Sequence, residues 1–326
     1  MPKAYIELHL HLDGAITPEI ARMLADSQGI LLPEDEKELE RQLSVSEDCR
    51  SLNDFLQCFS LPLSLMQTAQ AIEKAVYLVQ ENIRKDGVIY GEIRFAPQLH
   101  CQKGLTQEEA VQAALAGLSR STLACNLILC CMRGEDTAEA NAETLRLAVK
   151  YLTEDGGVVA IDLAGAEGLY PTRDYETLFR TAKEKGVPFT IHAGEADGSE
   201  SVQSAVEFGA ARIGHGVRVR QDEKLMNQLA QKHICLEMCP TSNYQTRAVE
   251  DMSQYPIREF LKRGLCVTVN TDDMAISRTN IQKEFAYLRE FLGLTEVEEE
   301  QLMENAIQSA FTTQERKDEL RKRCFV

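Results

Sequence analysis

Positive charge is scarce in this chain. Thirty-five lysines and arginines stand against 51 acids, a formal charge of −16 with a pI near 4.9. Such a molecule repels phosphate polymers and anionic lipid, so nucleic-acid polymers and membranes are excluded as partners. Long apolar runs are missing too: none approaches the roughly 18 unbroken residues of a membrane span, and 44% hydrophobic with 26% charged content is ordinary for a soluble globular chain. The ten cysteines include no CxxC pair and occur in apolar settings such as Leu129-Cys130-Cys131-Met132, the pattern of reduced core thiols in a cytosolic protein. A cleaved secretory leader is not expected, because removing even a short one would take His9 and His11 with it. The expected compartment is the cytoplasm. There is no internal repeat and no low-complexity tract.

What is present is alternation. Eight short aliphatic or β-branched runs, about 4–10, 88–96, 125–132, 157–164, 187–192, 210–215, 234–239 and 265–271, are bounded by Gly, Pro or charge and read as strands. Helical segments lie between them, for example 108–118 and 174–186, the second stopping on Gly186. Eight alternating strands predict an α/β fold, a (β/α)8 TIM barrel formed by residues 1–326 as one domain. An open doubly wound sheet needs a phosphate-binding glycine fingerprint after its first strand, and Leu12-Asp13-Gly14-Ala15 does not supply one. The longest insertion, 17–87, should hold several helices after strand 1. Within it Ser51-Leu52-Asn53-Asp54 looks like a helix start, and Leu52, Phe55, Leu56 and Phe59 follow at i, i+3, i+4 and i+7. That stripe either packs on the barrel or walls a site. The basic tail from Arg316 to Arg323, with interspersed acids, reads as a solvated terminal helix.

Only six histidines occur, and four stand at strand ends: His9 and His11, His192 and His215. The last run ends in Asp272-Asp273. Barrel chemistry gathers at the carboxyl ends of strands, and buried imidazoles and carboxylates are costly unless paired or metal-bound. Side chains two apart share a strand face, so His9 and His11 can reach one ion together with His192 and Asp272. Nitrogens plus a carboxylate suit Zn²⁺ with an open position for water, though Fe²⁺ or Co²⁺ fit the same ligands. Glu195, three residues past His192, is placed to work on substrate by proton transfer, and His215 and Asp273 to orient and deprotonate the water. His100 and His233 fit no such pattern and are assigned surface or structural roles.

The ordered segments His9-Leu10-His11-Leu12-Asp13-Gly14-Ala15, Asp162-Leu163-Ala164-Gly165, His192-Ala193-Gly194-Glu195, Arg212-Ile213-Gly214-His215-Gly216, Cys239-Pro240-Thr241-Ser242-Asn243 and Asn270-Thr271-Asp272-Asp273 resemble the signature of the adenosine deaminase family, in the amidohydrolase superfamily. The resemblance runs from residue 5 to beyond 273. It implies hydrolysis of adenosine and 2′-deoxyadenosine to inosine and 2′-deoxyinosine with release of ammonia, in purine salvage or nucleoside catabolism. It also implies one Zn²⁺ per chain on His9, His11, His192 and Asp272, with Glu195 giving a proton to purine N1 as hydroxide attacks C6. His215 would position the hydroxide, Asp273 would bond N7, the Gly165 backbone would serve N3, Asp13 would hold the ribose, and His11 would also touch the substrate. The stripe Leu52, Phe55, Leu56 and Phe59 resembles the family's hydrophobic gate. Two departures stand out: Ala166 where the family usually has an acid, and Met274 where proline is common, the latter expected to loosen the loop carrying Asp272 and Asp273.

The nearest alternatives are deaminases of adenine or of an N6-modified adenine nucleoside or nucleotide. Adenine-preferring relatives tend to carry Glu at the position of Asp13, and a nucleotide site calls for cations where Asp13 would repel phosphate. A binuclear site would place a lysine at the end of strand 4, and 162–167 contains none. The other zinc deaminase pattern, H-x-E with P-C-x-x-C, is absent. A catalytically inactive nucleoside-binding protein would be expected to have lost a ligand or Glu195; all are retained. The partner is thus a small purine nucleoside, with a monomer the favoured state.

Overall fold

The computed structural model describes residues 4–46 and 49–325. Eight parallel strands, β1 (Tyr5–His11), β2 (Val88–Phe95), β3 (Ala124–Met132), β4 (Val158–Ala164), β5 (Thr190–Ala193), β6 (Arg212–His215), β7 (Cys235–Met238) and β8 (Val267–Val269), alternate with helices. They form two four-stranded arcs, β1 to β4 and β5 to β8, each in chain order. Single bridges close the arcs into a (β/α)8 barrel: Ile161 with Phe189 on one side, Leu10 with Asp272 on the other.

The strands of the second arc are shorter than the apolar runs that encode them. At β5 the reason is Pro188, which has no N–H to give and contributes only its carbonyl, 3.0 Å from the Ile161 amide. At β8 side chains take over the ladder. The Asn270 Oδ1 accepts from the Leu8 amide at 3.1 Å, and the Glu7 carboxylate accepts from the Thr271 amide (3.1 Å) and hydroxyl (2.8 Å). Backbone pairing then resumes, with His11 N donating to Asp272 O at 2.9 Å and Asp272 N to His9 O at 2.8 Å.

The insertion after β1 holds, among the described residues, five α-helices: Pro18–Asp26, Glu36–Leu43, Leu52–Phe55, Ser60–Leu65 and Ala69–Lys85. Ser51 caps the third through the Asp54 amide, as its sequence position predicts. The helix 107–118 starts on a full capping box, Thr106 with Glu109. The expected helix 174–186 is a 3-10 turn (Thr172–Tyr175) followed by Glu176–Glu184. The terminal helix, Gln314–Cys324, is mostly solvated and anchored by buried Leu320. All ten cysteines are free, six of them buried. His100 is buried, its Nδ1 2.8 Å from the Met66 carbonyl, and His233 is exposed at a left-handed helix end; both roles are structural. Met274 is buried in the main core, and its carbonyl accepts from the Thr279 amide. The loop after β8 is thus tied to the core at Met274.

The inside of the barrel carries a charge lattice. Tyr90, Glu92 and Arg94 alternate along β2 and face inward together, meeting Asp162 from β4, Arg212 from β6 and Glu237 from β7. All are buried. Arg94 holds Asp162 at 3.0 Å and Glu237 at 2.8 Å, while Arg212 holds Glu237 at 2.5 Å and Glu92 at 2.6 Å. Below them the Phe311 ring lies 3.9 Å under the Arg212 guanidinium, closing the floor. Removing a partner from such a lattice strands a buried charge, so its members are interdependent.

Candidate active site

At the opposite end of the barrel four donor atoms converge. His9 Nε2 and His11 Nε2 each lie 3.1 Å from His192 Nε2, and they lie 3.2 and 3.4 Å from Asp272 Oδ1. Four ligands placed tetrahedrally at the usual zinc distances sit roughly 3.3 Å from one another. The residues therefore fit a single ion. His215 stands further off, its Nε2 3.9 Å from Asp272 Oδ2 and 3.6 Å from Glu195 Oε2.

Hydrogen bonds to the far ring nitrogens separate ligands from their neighbour. His9 Nδ1 faces Glu237 at 2.6 Å and His192 Nδ1 faces Asp162 at 2.8 Å. A carboxylate there holds the proton on Nδ1 and leaves Nε2 a free lone pair, the arrangement of metal-binding imidazoles. His215 is the reverse. Its Nδ1 takes a hydrogen bond from Asn243 Nδ2 at 2.9 Å, and Asn243 is fixed in that orientation by the Tyr255 hydroxyl on its Oδ1. His215 Nε2 thus carries the hydrogen and is a donor, unsuited to a ligand; it can orient the water but, contrary to the expectation from sequence, cannot deprotonate it in this form. Burial lowers the His215 pKa to about 4 and that of His11 well below the usual value, so both rings are neutral at physiological pH.

Backbone strain marks the same residues. His215 and Asp272 both have φ near +60°, a left-handed conformation costing a non-glycine residue about 1–2 kcal/mol. Asp273 is packed so closely over Gly14 that a Cβ there would meet its Oδ1 at 1.8 Å, which explains the glycine.

Glu195 is buried, with Thr246 Oγ1 donating to its Oε1 at 2.9 Å. Burial first and the Asp272 charge second push its pKa to about 8. Burial likewise raises Asp13 to about 6, and burial with the charges of Asp272 and Asp13 raises Asp273 well above the ordinary carboxyl range.

Asp13, Glu195, His215, Asp272 and Asp273 line a cavity of about 310 Å³ together with Leu52, Phe55, Leu56, Phe59 and Leu63 from the insertion and with Gly165 and Ala166 after β4. Asp13 Oδ1, Asp273 Oδ1 and Ser242 Oγ are buried there without partners, a cost of about 1–3 kcal/mol each that a polar ligand relieves. Every sequence-predicted site residue is thus in the cluster or on the cavity wall. The sequence reading gave no role to Asp162, Glu237, Arg94, Asn243, Thr246 or Glu167. For Glu92, Arg94, Arg212 and Glu237 the available signal was charge inside otherwise apolar strand runs.

A family model described as adenosine deaminase matches residues 2–325. The adenosine deaminase of Haemophilus ducreyi is 51% identical over 97% of this chain and 94% of its own length. Among solved structures, an adenine deaminase from Arthrobacter aurescens superposes with a TM-score of 0.90 at 29% identity, covering 99% of this chain and 98% of the other. The N6-methyl-AMP deaminase of Arabidopsis thaliana does so with 0.82 at 26% identity, covering 98% and 95%.

Proposed function

Since the chain belongs to the adenosine deaminase family, we propose that it hydrolyses adenosine and 2′-deoxyadenosine to inosine and 2′-deoxyinosine, releasing ammonia. The whole chain serves as one catalytic domain, monomeric and cytoplasmic. His9, His11, His192 and Asp272 hold one zinc ion. When bound, the ion supplies the Lewis acidity that brings a water's pKa down toward about 7.

The side chains divide the remaining work. Glu195, protonated near neutral pH, gives its proton to purine N1 as hydroxyl adds to C6; its carboxylate can then take the hydroxyl proton and pass it to the amino group, so that the C6–N bond breaks with ammonia leaving and C6=O forming. The His215 Nε2–H hydrogen-bonds the attacking oxygen and fixes its approach. Purine N7 is an acceptor, so Asp273 serves it as a protonated carboxyl, the state its raised pKa favours. The Gly165 backbone serves N3, and Asp13 with His11 the ribose hydroxyls. Leu52, Phe55, Leu56 and Phe59 cover the base and exclude water.

The observation that carries the nucleoside over its rivals is the cavity's charge. Among its described lining residues the sole cation is Arg133, whose terminal nitrogens are committed to Tyr170 O, Thr172 Oγ1 and His192 O. A 5′-phosphate finds no free cation and a nearby Asp13, while a free base leaves Asp13 unpaired. An absorbance assay across adenosine, 2′-deoxyadenosine, adenine, AMP and N6-methyl-AMP should give the largest kcat/KM with the nucleosides. A larger value for adenine or either nucleotide overturns the assignment.

Purified protein should contain about one transition metal ion per chain, zinc in most preparations, since the four donors have the spacings of a single-ion site. A reproducible two per chain contradicts that set. Phe55→Ala should raise KM for adenosine by roughly tenfold, the scale of a lost apolar ring contact, with a smaller change in kcat. An unchanged KM together with a large fall in Tm returns Phe55 to a packing role in its small cluster with Val45, Cys49 and Ile276.

A further inference from the structure

Glu195 sits in a loop that leaves β5 through Gly194, whose φ is +74° and whose Cβ, if present, would meet Val202 at 2.6 Å. From Gly194 to Asp197 four consecutive amides turn toward one point. That point is the carboxylate of Glu167, a buried residue after β4. Its Oε1 accepts from Gly194 N at 2.6 Å and Ser201 Oγ at 2.5 Å. Its Oε2 accepts from Glu195 N (3.0 Å), Ala196 N (2.7 Å) and Asp197 N (3.0 Å). A concave run of amides of this kind is an anion-binding nest, and here the anion comes from the chain itself. Burial opposes the charge, but Arg133, the Ser201 hydroxyl and the amides outweigh it and hold Glu167 below the usual carboxylate range.

We infer that Glu167 is a positioning residue for the deamination: its carboxylate fills the amide nest after β5 and thereby fixes the backbone from which Glu195 reaches the purine. The inference rests on Glu195 being the proton donor. The other ties on this stretch come from Arg218, whose amide donates to the Gly194 carbonyl at 3.0 Å and whose Nε donates to the Glu195 carbonyl at 2.7 Å, while Thr246 Oγ1 holds the Glu195 side chain; Glu167 alone gathers all four amides of 194–197. A side-chain amide cannot replace the carboxylate, because one of its two heavy atoms would present N–H groups to N–H groups. A displacement of about 1 Å at a reacting group costs on the order of 10²-fold in rate.

The test uses Glu167→Gln and Glu167→Ala in the full-length, metal-loaded enzyme, with Glu195→Gln alongside. Glu167→Gln should lose roughly 10- to 100-fold in kcat per folded molecule, keep its metal content, keep KM within about threefold, and show faster hydrogen exchange at the amides of 194–197 alone. Formate added to Glu167→Ala should enter the vacated nest and restore kcat in a saturable manner, which a merely structural loss would not do. Where Glu167→Ala does not fold, the kcat and exchange behaviour of Glu167→Gln decide. Parental kcat in folded Glu167→Gln overturns the inference, as does a loss explained entirely by missing metal. If Glu195→Gln itself retains turnover, the proton-donor reading fails first; if it is inactive while Glu167→Gln is not, only the positioning role fails.

Discussion

Glu195→Gln is expected to lose at least about 10²-fold in turnover, the scale of general acid catalysis, while retaining its metal and binding inosine nearly as well as the parent. Glutamine keeps the size and a hydrogen-bond donor but has no proton to transfer. In the metal-free protein burial and the Asp272 charge raise the Glu195 pKa to about 8, and a bound cation lowers it from there. Below its pKa the carboxyl is protonated and competent; above it the acid form is lost, so parental kcat should fall on the alkaline side, and the residual activity of the variant should lack that limb. Stability moves in the same sense. An unfolded glutamate ionises near about 4.3, so between there and about 8 the folded metal-free chain holds a proton that the unfolded chain has released, and stability falls as pH rises. Metal-free Glu195→Gln should therefore melt above the metal-free parent at pH 8 by more than it does at pH 5. A variant turning adenosine over at close to the parental rate would remove Glu195 from its role.

Arg94→Met should be the most destabilising change in the barrel, by roughly 3–5 kcal/mol, since it leaves Asp162 and Glu237 buried with their shared cation gone. The same two carboxylates orient His192 and His9, so metal affinity should drop about 10- to 100-fold as well. Despite burial, His192 and Arg94 hold the Asp162 carboxyl far below the ordinary range, and Arg94, Arg212 and His9 do the same for Glu237. Depressed carboxyls stabilise fully above the unfolded value of about 4 and progressively less as pH falls below it. Urea melts of the parent should show that acid loss, and Arg94→Met should show a weaker one. Parental stability in the variant at pH 7 would mean that the lattice contributes nothing at this corner.

The eight strands and the strand-end cluster were legible because each rests on a local pattern: apolar runs punctuated by Gly and Pro, His9 and His11 two apart, Asp272 beside Asp273. The interior lattice was not. Glu92 and Arg94 alternate with Ile93 and Phe95, a pattern equally suited to a strand with one solvated face, and their partners come from β4, β6 and β7. The tautomer that distinguishes His215 from the ligands depends on Asn243 and Tyr255, which only the folded chain brings to it. Glu167 is unremarkable in sequence because its five donors arise from how 194–201 turns. The left-handed backbone of His215 and Asp272 is only weakly signalled by residue type, because Asp and His are enriched at positive φ but adopt it in a small minority of positions.

The seam between β8 and β1 joins the two ends of the barrel through few backbone bonds, and the donor cluster straddles it, His9 and His11 on one side and Asp272 on the other. A metal held by these donors would be topologically a cross-link, tying the first strand of the chain to its last and closing a loop that spans nearly the whole barrel. In the chain-entropy view a covalent closure of that reach restricts the unfolded chain by about 5 kcal/mol. Chelation should accordingly do more than silence the enzyme: it should let the barrel unzip from its terminal strands, with amides of β1 and β8 exchanging before those of β3 and β4.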